Sequence, residues 1–256
     1  MAQFVQKIVR RLVPILLLLA LWQLAGTFGW SNTSLIPSPV QVASAIQEMI
    51  SSGQLFHDAT ASLRRVLLGF TAAMFAGCVF GTLIAWLANH ADWLDSPLEL
   101  LRPIPPIAWI PLAILWFGIG ETPAYFIVFL GAFFPVLANV VAGIRSTERL
   151  HINAARCLGA SRGLILREVI LPSALPSILT GLRVSFGVGW ICVITAELVG
   201  AQSGLGYMIQ LNRLLLRTDK VMAGMVVIGC LGFAFNQLLV LLERKLVRWR
   251  TGSEIA

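Results

Sequence analysis

Six stretches of this chain are apolar for long enough to decide its solvent before anything else: residues 12–28, 66–88, 104–117, 124–144, 174–199 and 221–242. Crossing a hydrocarbon layer in a helix takes about 20 apolar residues, and a helix satisfies its own backbone groups where no water can. With 57% hydrophobic and 12% charged residues, the chain departs from soluble domains, which are roughly a quarter charged. The expected fold class is therefore all-α: a polytopic membrane protein with six transmembrane helices. The third stretch is the shortest and holds Pro105, Pro106 and Pro111, which predicts a broken or tilted span whose freed backbone groups are met by neighbouring helices or water. The first follows Lys7, Arg10 and Arg11 as in a signal peptide, but Ala25-Gly26-Thr27 makes a poor cleavage site, so it reads as a retained anchor.

Cationic residues set the orientation. Three lie before the first span, one between the second and third, five in residues 145–172 and four after the last span, against two and three in the intervening segments. Both termini and the 145–172 loop are thereby expected in the cytoplasm. Arg64 and Arg65 fall on the minority side, where they are expected to snorkel to the outer headgroups. The net charge of +7 follows from this topology and calls for no nucleic acid, since no basic stripe interleaved with aromatics is present. Cys78, Cys192 and Cys230 fall in spans and Cys157 in the loop, without disulfide or metal spacing. On the outer side, Leu35-Ile36-Pro37-Ser38-Pro39 predicts a stiff entry into a short amphipathic helix over Val40–Ser51, started by Ser38 or Pro39.

Between the fourth and fifth apolar stretches lies a polar interruption, Arg145–Pro172. A membrane protein driven by a separate motor needs a rigid, water-exposed knob whose displacement reaches the spans, and small residues let such a knob sit close to a partner. Asn153, Ala154, Ala155 and Gly159 fall in such a stretch, with Gly159-Ala160-Ser161 as a helix stop and restart, Gly as C-cap and Ser161 as N-cap. Residues 162–170 are expected to form a second short helix that Pro172, after Leu171, terminates before the next span. On composition alone the segment also fits an ordinary basic cytoplasmic loop.

The joint spacing of Ala154-Ala155, Gly159 and Leu171-Pro172 resembles the EAA loop of permease subunits in ABC importers, with Asn153 where that family usually has Glu and Val169 where it usually has Ile. The stretches RPIPPIAW (102–109), WFGIGET (116–122), TGLR (180–183), AEL (196–198) and SGLGY (203–207) are similar to those of the alkanesulfonate, taurine and nitrate type of permease. The resemblance covers nearly all of residues 12–250. It implies a type I importer (MetI-like) permease core of five helices over residues 61–245 containing the coupling loop 145–172. This core would follow an N-terminal helix and external segment over residues 1–60 and precede a cytoplasmic tail over 246–256. It further implies a bacterial cytoplasmic (inner) membrane location, a second copy of the chain, two ABC ATPase subunits docked on the loops, and an extracytoplasmic solute-binding protein. Cargo in this type is a small solute, often an anion such as a sulfonate, nitrate or bicarbonate, though uncharged and cationic precursors also occur. ATP and Mg are expected on the partner ATPase and no cofactor on this chain.

Within the spans, Glu197 and Arg183 stand out, because an ionisable group in hydrocarbon is expensive. Each fits either a structural pairing or a place on the substrate path or gate; a guanidinium matches sulfonate or carboxylate oxygens bidentately. Trp109, Trp116 and Trp190 fit pathway walls or interfacial anchors, and Trp22, Trp30, Trp86, Trp93 and Trp249 fit anchors. Residues 202–207 predict a tight or re-entrant external loop able to touch a binding protein. The phosphate-cradling Gly-x-x-x-x-Gly-Lys-Ser/Thr is missing from the sequence, so ATP hydrolysis is not expected on this chain, which is read as no enzyme. His57, His90 and His151 sit in or beside loops, which disfavours an intramembrane haem or redox enzyme. A gradient-driven secondary transporter would show more buried charge and an inverted repeat.

Overall fold

The computed structural model describes residues 36–86 and 103–247, together with positions 13, 14, 17 and 20–24. Most of the expected first span, Arg102, the anchors Trp30, Trp93 and Trp249, and the tail from 248 lie outside the described residues. Among the described residues every regular element is helical. In chain order these are α1 (Pro39–Ser51), α2 (Gln54–Trp86), a 3₁₀ turn (Pro106–Trp109) running into α3 (Ile110–Phe117), α4 (Thr122–Arg145), α5 (Arg149–Cys157), α6 (Arg162–Gly200), α7 (Leu205–Leu214) and α8 (Thr218–Leu246). Four of them, α2, α4, α6 and α8, are long and apolar enough to cross a membrane. The proline-rich third stretch, expected as a broken or tilted span, is a 12-residue apolar helix, shorter than these four.

The entry helix α1 starts where expected. Ser38 Oγ accepts from the Gln41 backbone amide, and Gln41 Oε1 accepts from the Ser38 backbone amide at 2.8 Å, a reciprocal cap, with Pro39 in the first turn. Its buried face is Val42, Ala45 and Met49, and the Trp22 indole donates to the Pro37 carbonyl at 3.1 Å.

Helix α4 is the centre, packed between α2 and α6. Small residues at four-residue spacing on α2, Gly69, Ala73, Gly77 and Gly81, are all buried and run along Val128, Ala132, Val136 and Val140 of α4. In hydrocarbon there is no hydrophobic drive to join helices, so close backbone approach supplies the attraction through dispersion. A Cβ at Gly69, Gly77 or Gly81 would lie 2.7–2.8 Å from the facing valine. Gly77→Leu is therefore expected to cost about 1–3 kcal/mol by overpacking. Gly187→Ala on α6 is expected to be nearly silent, because nothing lies within 4 Å of its would-be Cβ. Melting temperatures of the two purified variants in detergent check the pair.

The structure corrects the expected stop at Pro172. The chain runs helically from Arg162 to Gly200 without a break. Pro172 cannot donate to Glu168, and its ring would crowd that carbonyl in a regular helix. The backbone instead widens into a π turn over Leu166–Ile170, with the Leu171 amide reaching Leu166 five residues back. The expected short second helix of the loop is thus the first part of a span. Two further differences bear on the site: α2 begins at Gln54 rather than 66, and the corner at 201–204 leads into a helix, α7, that the sequence reading did not expect.

Candidate functional site

At the end of the bundle where α6 finishes, a group of polar side chains is sealed from solvent. Extending α2 back to Gln54 places Asp58, Ser62 and Arg65 on one helical face, four and three residues apart, turned toward α6 and α7. They are 5%, 0% and 1% exposed, and Glu197, near the end of α6, is 1% exposed. Arg65 Nη1 donates to Glu197 Oε1 at 2.8 Å and to the Ser203 carbonyl at 2.7 Å, while Nη2 donates to Ser203 Oγ at 2.7 Å. Ser62 Oγ donates to the Glu197 carboxylate (2.8 Å to Oε2) and accepts from the Leu205 amide at 2.9 Å. The Gly206 amide donates to Glu197 Oε2 at 2.9 Å, and the Gly204 amide to Asp58 Oδ1 at 3.0 Å.

Three amides from the start of α7 therefore end on side chains of α2 and α6, which satisfies donors that the first turn of a helix leaves without partners. The two glycines are required by closeness. Gly204 has φ +107, and a Cβ there would overlap the Glu197 carboxyl; a Cβ on Gly206 would stand 2.5 Å from the Ile194 carbonyl oxygen. The Arg65–Glu197 pair, with the Ser62 hydroxyl and the Gly206 amide on the same carboxylate and the Gly204 amide on Asp58, offsets the cost of holding these charges away from water, which an unpaired charge there would not escape.

This overturns the snorkelling reading of Arg65, which faces inward because the helix it sits on starts three turns earlier than the apolar stretch suggested. Arg64 does point outward, 61% exposed at its side chain, and pairs with Glu121 at the start of α4. Tyr125 Oη donates to Glu121 at 2.7 Å. That hydrogen bond and the Arg64 guanidinium hold the Glu121 carboxyl below the usual range, against a smaller opposing effect of burial. On α1, Glu48 accepts from Lys220 at 2.8 Å and from Arg217 at 3.0 Å, which lower its pKa. Arg217 also pairs with Asp219 at 2.8 Å.

At the opposite end, α5 has no buried residue. Asn153 and Ala154 are exposed, with Leu150 73% and Leu158 89% exposed on the same face, while Ala155 and Ala160 are half-buried beside Leu164 and Ile165. Gly159 has φ +81 and closes the helix in a Schellman turn, its amide on the Arg156 carbonyl at 2.9 Å and that of Ala160 on Ala155 at 3.0 Å. Ser161 caps the next helix by accepting from Leu164. The stop and restart thus occur at the expected residues. Leu171 is half-buried and Pro172 exposed, at the foot of the span that leaves the loop.

The remaining named residues are dispersed. Arg183 lies 3.6 Å from Glu243 of α8, each partly exposed. Trp190 is 7% exposed and stacks on Phe186 (centroids 6.4 Å), with its indole against Gly232. Trp109 is half-buried, 6.5 Å from Trp116. Sequence reasoning singled out Glu197 but missed Asp58, Ser62, Arg65 and Ser203 as its companions. The signal available was the polar spacing 58, 62, 65 immediately ahead of an apolar run.

Comparison with known proteins gives a consistent picture. The family described as "Binding-protein-dependent transport system inner membrane component" matches residues 77–250. The chain is 41% identical to the taurine transport system permease protein of Escherichia coli, covering 91% of this chain and 86% of that one. It is 38% identical to a putative aliphatic sulfonates transport permease protein of Bacillus subtilis (93% and 86%) and 31% identical to the nitrate import permease protein of Synechocystis (94% and 90%). Among solved structures, the MetNI methionine ABC transporter in an inward-facing conformation matches with a TM-score of 0.64 at 19% identity, over 75% of this chain and 97% of that one. An amino acid ABC transporter matches with 0.60 at 21% identity, over 78% and 97%. These two establish likeness of fold.

Proposed function

The chain belongs to the family of binding-protein-dependent transport system inner membrane components, as a permease subunit of an ABC importer, and from that premise we propose that its cargo is a small sulfonate-like anion. The observation that carries this reading is the 41% and 38% identity to taurine and aliphatic sulfonate permeases across more than nine-tenths of the chain. A nitrate-type cargo is the second reading, favoured by the nitrate permease relative.

In this reading the end of the bundle bearing α5 faces the cytoplasm, with both chain termini, and two copies line one pathway. α5 and Gly159 seat in a separate ATPase subunit, one per copy, which holds the ATP and Mg²⁺; this chain holds no cofactor. A solute-binding protein delivers cargo at the end bearing Gly204. Arg183, released from its long contact with Glu243, offers an open guanidinium to a passing oxyanion, and Trp109 and Trp190 flank the route. Glu197 acts on the gate through the corner that it holds.

The test is uptake in cells expressing this chain with its ATPase and binding protein. Labelled taurine is expected to enter, with unlabelled alkanesulfonate competing and nitrate failing to compete. Competition by nitrate alone would move the assignment to the second reading. Arg183→Gln is expected to lower uptake at least about tenfold, the loss of one charge-assisted pair, without changing the amount of chain in the membrane.

A further inference from the structure

Helices α5 and α7 end in the same turn built from different residues. At the end of α5, the left-handed position is Gly159. At the end of α7 the same pair of bonds closes, the Arg217 amide on the Asn212 carbonyl at 2.9 Å and the Leu216 amide on Arg213 at 3.2 Å, but the left-handed residue is Leu216, at φ +56. It is the one non-glycine with positive φ among the described residues. Leucine disfavours that conformation because its Cβ crowds the following carbonyl, and an observed outlier of this kind points to a use for the side chain. The use is not internal packing: Leu214, Leu215 and Leu216 are 69%, 62% and 83% exposed. Arg213 is exposed, with no acidic partner among the described residues.

The tip lies directly before Thr218, where the last span begins, and beside the charged group of Glu48, Arg217, Asp219 and Lys220, side chains that belong in water or among headgroups. About two turns further on, the same span leaves Met225 and Val226 59% and 42% exposed, a surface suited to hydrocarbon. Three leucines continuing an apolar exterior, next to a guanidinium without a carboxylate, have the composition of an interfacial anchor: apolar groups below the headgroups, cation at the phosphates.

We propose that Leu214-Leu215-Leu216 inserts into the bilayer leaflet at this end of the bundle, with Arg213 on lipid phosphate, so that the membrane holds α7 and the corner preceding it from outside. The lipid favours leucine at 216, which offsets the backbone strain.

The test uses the unaltered chain within its assembled transporter, in nanodiscs made with phospholipid carrying a photoactivatable diazirine on its acyl chain, followed by peptide mass spectrometry. In parallel, the same nanodiscs are exposed to hydroxyl radicals. The expected result is lipid label on the 214–216 peptide comparable to that on Met225-Val226 and several-fold above that on His57, whose side chain is 74% exposed, with protection from hydroxyl radicals. Radical oxidation without lipid label places the tip in water and overturns the proposal. Protection from both reagents places it against a second copy or the binding protein, and overturns it equally. Either failure leaves the family assignment untouched, because that assignment rests on sequence identity along the chain and not on where Leu216 sits.

Discussion

Arg65→Met is expected to destabilise the folded chain by about 3–5 kcal/mol, since it leaves the Glu197 carboxylate dry and without its cation. The cluster geometry makes the effect large. Glu197 keeps the Ser62 hydroxyl and the Gly206 amide, but neutral donors do not balance a full charge at 1% exposure. Arg65→Met also frees Ser203, losing both of its bonds from the guanidinium, so the corner before α7 loosens along with the pair. The double variant Arg65→Met with Glu197→Gln removes both charges and is expected to recover much of the loss, as paired removal does for buried ion pairs. Unfolding midpoints of the three proteins in mixed micelles check this. A single variant within about 0.5 kcal/mol of the parent, the usual range for surface changes, would mean that the cluster is wet.

Deleting residues 154–159 is expected to bring uptake to background, at least about a tenfold loss, while the chain still inserts and the partner ATPase still hydrolyses ATP. The expectation rests on what α5 lacks: it buries no residue of its own, and its exposed Leu150 and Leu158 contribute nothing to the fold. The loss is therefore one of transmission rather than of stability. Transmission would run through the continuous helix from Arg162 to Gly200, whose far end carries Glu197 and so the sealed corner. Uptake and ATPase activity measured on the same proteoliposomes separate the two effects; preserved uptake would sink the coupling role. The milder Leu158→Ser is expected to show the same direction with less amplitude, by weakening docking alone.

The particular residues show where a reading of sequence succeeds. Ser38 with Gln41, and Gly159 with Ser161, act within four residues of themselves, so their caps were legible from spacing. The spans over α4 and α8 were legible because apolar length in lipid has one structural solution. Pro172 misled, since a proline forbids one hydrogen bond but does not say whether the helix ends or widens around it. Arg65 misled because hydropathy placed it outside the span, while its partner stands 132 positions further along the chain.

What the sequence by itself determined is the solvent, the helical class, the family and the caps, because each depends on a local or summed property of the chain. What only the tertiary structure decided is which charges are sealed together and which leucines are left outside. That choice rests on helix start points and on glycines close enough to bring α2, α6 and α7 into contact, and such closeness has no representation in a linear pattern.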